Sequence, residues 1–149
     1  MTVRPREFVD TNILVYAHDA SGGAKREAAA SLLSRLWESG EGCLSIQVLQ
    51  EFFVTVTLKV PHPLRSQEAR AVIESFIQWT VHAPGPDDVL AAIDLQQAHR
   101  TGFWDAMILN SAAALGCHTL WSEDLQSGRV YEGVRVQNPF QSENTSAKR

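Results

Sequence analysis

The stretch Gln47-Val48-Leu49-Gln50-Glu51-Phe52-Phe53-Val54-Thr55-Val56-Thr57-Leu58-Lys59-Val60 admits two readings, and the choice between them decides the fold. Val48, Leu49, Phe52, Phe53 and Val56 share one helical face. Val54, Val56, Leu58 and Val60 alternate with Thr55, Thr57 and Lys59, which is a strand pattern. No turn signal interrupts the run, and Pro61 and Pro63 end it sharply, so it is read as a helix. That reading keeps strands and helices alternating along the chain.

Upstream, Cys43 to Ile46 reads as a short strand, and Ala24 to Trp37 as a helix with Leu32, Leu33 and Leu36 at helical spacing and Gly40 as its stop. Glu7 to Val9 is a first strand, and Ser21-Gly22-Gly23 is a break. Downstream, Ser66 is expected to cap a helix running to Trp79. Thr80 to Ala83 is a strand closed by Pro84-Gly85-Pro86. Pro86 suits the first turn of a helix ending near Gly102. Phe103 to Leu115 is a further helix with Gly116 behind it. Cys117 to Trp121 and Val134 to Val136 are strands, separated by a polar loop from Ser122 to Gly128. The alternation predicts a three-layer α/β/α fold with a short central parallel sheet. A single domain is expected over residues 1–140, with a loose tail over 141–149.

Composition narrows the class. At 149 residues with 44% hydrophobic and 20% charged residues, the chain is long enough for one buried core. Its net charge of -4 is poor for gripping a polyanion through phosphates alone. No apolar run approaches the ~20 residues of a membrane span. Cys43 and Cys117 form no CxxC pair and are expected as small buried residues, which suits the cytoplasm.

Four acids stand in apolar surroundings: Asp10 after Phe8-Val9, Glu51 before Phe52-Phe53, Asp105 between Trp104 and Ala106-Met107-Ile108, and Asp124 after Leu120-Trp121-Ser122-Glu123. Carboxylates are costly to desolvate unless something positive offsets them, and no Lys or Arg adjoins these four. A divalent cation would do so, and hard oxygen ligands suit Mg²⁺ or Mn²⁺. The coarse element reading places all four toward the carboxyl edge of the sheet, where ligands bind in such folds. Taken singly, each acid has an ordinary explanation as a cap, a turn former or a solvated residue. The five histidines are scattered, without zinc-site spacing.

With these motifs in view, the chain resembles the PIN-domain ribonucleases, especially the toxins of VapBC-type toxin–antitoxin pairs. Phe8-Val9-Asp10-Thr11-Asn12 is similar to that family's opening motif. Glu51, four residues before Thr55-Val56-Thr57, is similar to its helix-borne acid. Trp104-Asp105-Ala106-Met107-Ile108 resembles its third motif, Leu120 to Leu125 its fourth, and Asn138-Pro139-Phe140 its ending. The resemblance runs from about residue 6 to residue 140. It implies hydrolysis of RNA with Mg²⁺ or Mn²⁺ held by Asp10, Asp105 and Asp124, with Glu51 contributing directly or through water. Thr11, Asn12 and Ser122 would orient an acid or bind a phosphate oxygen. Glu123 departs from the pattern, so the fourth acid is either Glu123 or Asp124. A cognate antitoxin and a homodimer are implied as partners. Lys25, Arg26, Arg65, Arg70 and Arg100 are candidate phosphate contacts.

Two other readings compete. A phosphatase of the haloacid dehalogenase type also opens with Asp after a strand, but it carries a second Asp where this chain has Asn12. A PIN-fold module that binds RNA or a partner with weak catalysis is the other, and the complete acid set opposes it.

Overall fold

The computed structural model describes residues 4–141. Of the tail over 141–149 expected to be loose, residues 142–149 lie outside the described residues. The elements run β1 (Arg6–Val9), α1 (Thr11–His18), α2 (Gly23–Ser39), β2 (Gly42–Ser45), α3 (Ile46–Leu58), α4 (Ser66–Phe76), β3 (Thr80–His82), α5 (Pro86–His99), α6 (Phe103–Ala114), β4 (Cys117–Trp121), β5 (Val130–Tyr131) and β6 (Val134–Gln137). The strand order is β3-β2-β1-β4-β6-β5. All pairings are parallel except β5 with β6.

The decisive stretch is helical. Of the helical face expected, Val48, Leu49, Phe52 and Val56 are buried, but Phe53 stays exposed at its edge, as do Val54 and Leu58. The Ser45 hydroxyl accepts from the Val48 amide at 3.3 Å and fixes where β2 turns into α3.

Chain order dictates the layers. Strands β1, β2 and β3 step outward in one direction, and the chain then returns past β1 to add β4. Right-handed crossovers therefore put α1 to α4 on one face and α5 with α6 on the other. Packing agrees: α1 contacts α2 and α3, α3 contacts α4, and α5 contacts α6. Phe8, Val9, Leu44, Leu120 and Val136 of the sheet are fully buried between them. Cys43 and Cys117 are buried free thiols, as the sequence leads one to expect.

The structure departs from the sequence reading in several places: Ile46, read into the second strand, starts α3, and α4 ends at Phe76 and not at Trp79. Helix α1 follows directly on Asp10, which caps it by accepting from the Thr11 amide at 2.7 Å. Helix α4 is capped one residue earlier than expected: Arg65 holds the cap position, and its amide donates to Glu68 at 2.9 Å. The hairpin β5–β6 turns on Glu132-Gly133, both at positive φ (48° and 82°), the geometry of a tight two-residue hairpin.

Candidate active site

Strands β1 and β4 are neighbours, yet their crossovers lead in opposite directions along the sheet. Their carboxyl ends therefore flank the crevice at a switch in strand order. Asp10 leaves β1 at that point, and the Ser122-Glu123-Asp124 segment leaves β4. Helix α3 brings Glu51 to the same edge, and the first turn of α6 brings Asp105. One cavity of about 420 Å³ is lined by Asp10, Glu51, Asp105 and Asp124 together with Thr11 and Asn12.

The acids sit in distinct environments. Asp10 is buried; its Oδ1 accepts from the Thr11 amide at 2.7 Å and its Oδ2 from the Ser122 hydroxyl at 2.8 Å. Burial pushes its pKa up to about 7, against the pull of those two hydrogen bonds, with Asp124 and Asp105 adding repulsion. Burial also raises the carboxyl of Asp105, helped by Asp124 and Glu51. Asp124 is raised by burial, then by Glu123 and Glu51. Among the described residues none of the four forms an ion pair, whereas Glu7, behind them on β1, is gripped by Arg35 at 2.8 Å and 2.9 Å.

Supporting residues take roles that differ in part from those expected. The Thr11 hydroxyl donates to Glu51 Oε1 at 2.6 Å, so it orients Glu51, while its backbone serves Asp10. Ser122 orients Asp10 directly. The side-chain oxygen of Asn12 is buried and, among the described residues, has no hydrogen-bond partner. Glu123 is not part of the cavity lining: it pairs with Lys25 and accepts from the Tyr16 hydroxyl at 2.8 Å.

The sequence reading missed Gln47. Its side-chain amide donates to Glu51 Oε2 and to the Trp104 carbonyl, both at 3.2 Å, and so ties α3 to α6. The four-residue spacing from Gln47 to Glu51 on one helix was the available signal. It also missed Tyr16, Asp19 and Lys59, which line the cavity, whereas none of Lys25, Arg26, Arg65, Arg70 and Arg100 does.

The donor set fits a hard divalent cation: oxygen ligands only, mutually repelling carboxylates and an unpartnered buried amide oxygen. Among the described residues, no three His, Cys, Asp or Glu side chains are gathered tightly enough to cage an ion as they stand. Mg²⁺ does not require such a cage, because it keeps several waters and takes one or two carboxylates.

The sequence profile of the PIN domain matches residues 8–133. The chain belongs to the PIN domain family. Among curated proteins, none matches the sequence. Solved structures share the PIN fold. The sarcin-ricin-loop-cleaving toxin VapC20 of Mycobacterium tuberculosis superposes with a TM-score of 0.62 at 24% identity, covering 79% of this chain and 89% of that one. A toxin–antitoxin complex from Klebsiella pneumoniae gives 0.67 at 19% identity, over 91% and 99% of the two chains. DNA-bound VapBC from Salmonella typhimurium gives 0.64 at 18% identity, again over 91% and 99%.

Proposed function

We propose that this PIN domain is a divalent-metal-dependent endoribonuclease and the toxin of a type II toxin–antitoxin pair. The observation that carries the reading is the convergence of Asp10, Glu51, Asp105 and Asp124 on one cavity at the strand-order switch, with no ion-pair partner among the described residues. The structural neighbours described as toxins and toxin–antitoxin complexes support the second half.

Asp10, Asp105 and Asp124 would hold Mg²⁺ or Mn²⁺, with Glu51 contributing directly or through water. Such an ion, when bound, neutralises charge at the scissile phosphate and makes water more acidic. The chain supplies orientation. Ser122 holds one oxygen of Asp10 and leaves the rest of that carboxylate aimed by the Thr11 amide. Thr11 and Gln47 grip opposite oxygens of Glu51. The apolar side chains of Val15 and Ile108 form part of the cavity wall.

The test is cleavage of single-stranded RNA by chelator-treated protein, with Mg²⁺ or Mn²⁺ added back, beside Asp105→Asn. Cleavage is expected only with added metal and not in the variant. The variant should melt no lower than the parent in chelator, because it relieves carboxylate repulsion. Cleavage that persists in chelator, or in Asp105→Asn, would sink the proposed site.

A cognate antitoxin and a second copy of the chain are the proposed partners, acting in the cytoplasm. No helix among the described residues is long and apolar enough to cross a membrane. An apolar hollow of about 710 Å³ between α3 and α4, lined by Ile46, Leu49, Phe53, Ile73, Ile77 and Val81, supports association with another chain. Light scattering that returns 16.5 kDa at micromolar concentration would refute the dimer.

A further inference from the structure

Trp104 stands in the first turn of α6 beside Asp105, and the residue is 64% exposed. An indole left so open has no part in the core, which α6 supplies instead through Ala106 to Ala112. Its backbone is nevertheless tied to the site. Its carbonyl accepts from Gln47, the residue that also grips Glu51. Its ring meets the Phe103 ring edge-on, with centroids 5.1 Å apart and planes at 75°. Trp104 lines the same cavity as the four carboxylates. A large flat apolar surface thus lies at the rim of an acidic hollow.

The carboxylates of that hollow repel phosphates wherever a cation does not offset them, and the net charge of -4 gives no long-range attraction. Affinity for a polyanion has to come partly from contacts that do not depend on charge. Stacking of a base on an aromatic ring is such a contact, and it tolerates any base because each has a π-face. Resting on the ribonuclease reading above, we propose that Trp104 stacks an unpaired nucleobase next to the scissile phosphate. Only an unpaired base can stack there, because bases inside a duplex already have both faces covered by their neighbours. The continuity of the indole with the acid cavity favours this occupant over a segment of another protein.

The experiment measures binding apart from cleavage. Asp105→Asn protein is titrated, with Mg²⁺ present, against a labelled homopolymeric single-stranded RNA and against a blunt RNA duplex, and anisotropy is read. Adding Trp104→Ala should weaken single-strand binding by about tenfold or more, as expected for the loss of one stacked base. Trp104→Phe should restore most of it, and duplex binding should not change. Thermal melts confirm folding, which an exposed side chain leaves intact. Single-strand affinity unchanged in Trp104→Ala overturns the proposal and leaves the indole to a protein partner. Equal losses on single strand and duplex, or no RNA binding by the parent, overturn it as well. Wild-type protein that fails to cleave RNA while the Trp104-dependent binding persists sinks the nuclease reading alone.

Discussion

The Ser122 hydroxyl donates to Asp10 Oδ2 at 2.8 Å, across 112 positions of sequence, and so joins the ends of β1 and β4. The same hydroxyl accepts from the backbone amides of Asp124 at 3.2 Å and Leu125 at 3.4 Å. One buried oxygen therefore sets the direction of one acid and the path of the loop that carries another.

Ser122→Ala is expected to act on both. It leaves a buried carboxylate oxygen without its donor, a loss on the order of 1–3 kcal/mol of stability. It also removes an orienting contact to a proposed ligand, which is expected to weaken Mn²⁺ binding by about 10–100-fold. Calorimetry and thermal melts read the two effects separately. Full Mn²⁺ affinity in a destabilised variant would show that the hydroxyl only supports the loop.

The buried state of Asp10 makes the metal-free protein sensitive to pH. Its carboxyl moves from an ordinary 3.8 to about 7 on folding, so the folded state prefers the proton. The stability contributed by this group is fully present below about pH 4 and is lost as pH rises through about 7. Asp105 and Asp124, also raised, act in the same direction. Asp19 acts oppositely, because hydrogen bonds from Ser21 lower its carboxyl. In chelator, the melting temperature of the parent should fall between about pH 5 and about pH 8, and Asp10→Asn should flatten much of that fall. Parallel profiles for the two proteins would place the pH dependence elsewhere.

How far the sequence carried this reading follows from which interactions are local. The strand-end acids were legible because a carboxylate beside Phe8-Val9 or Leu120-Trp121 is anomalous within a few residues. The helical phase of α3 was legible for the same reason. What was hidden depends on distant partners. Gln47 sits among apolar neighbours, and its bond to the Trp104 carbonyl exists only once α6 packs beside α3. Lys59 ends α3, and only the folded chain places it along the acid cavity. Helix α1 has eight residues, little more than two turns, and β5 has two paired across Glu132-Gly133, so neither repeated its pattern often enough to stand out.

The choice between Glu123 and Asp124 yields a direct prediction. Glu123 is occupied by Lys25 and Tyr16, and Lys25 also lies over the rings of Tyr16 (5.0 Å) and Phe140 (5.5 Å). Asp124 alone of the two lines the cavity. Asp124→Asn should lose most Mn²⁺ binding and RNA cleavage. Glu123→Gln keeps its hydrogen bond from Tyr16 and should keep both within a few-fold. The reverse ranking in a calorimetric titration would assign the metal to Glu123.

Lys59 is the cation that the cavity itself presents. Among the described residues its ammonium makes no ion pair, whereas Lys25, Arg65 and Arg70 are paired with Glu123, Glu68 and Glu74. It stands at the carboxyl end of α3, where the helix dipole favours a positive charge, and shares the cavity wall with Asp19, Thr55 and Pro61. A phosphate of RNA entering the acid cavity would meet this ammonium. Lys59→Gln should therefore weaken RNA binding across all sequences and lower the salt slope by about one unit. Arg65→Gln, whose side chain already pairs with Glu68, serves as the control and should leave the slope unchanged. The readout is RNA binding by the Asp105→Asn protein over a salt series, with Mg²⁺ held constant. A slope indifferent to Lys59 but reduced by Arg65→Gln would move the phosphate path off this cavity wall and onto the α4 end of the molecule.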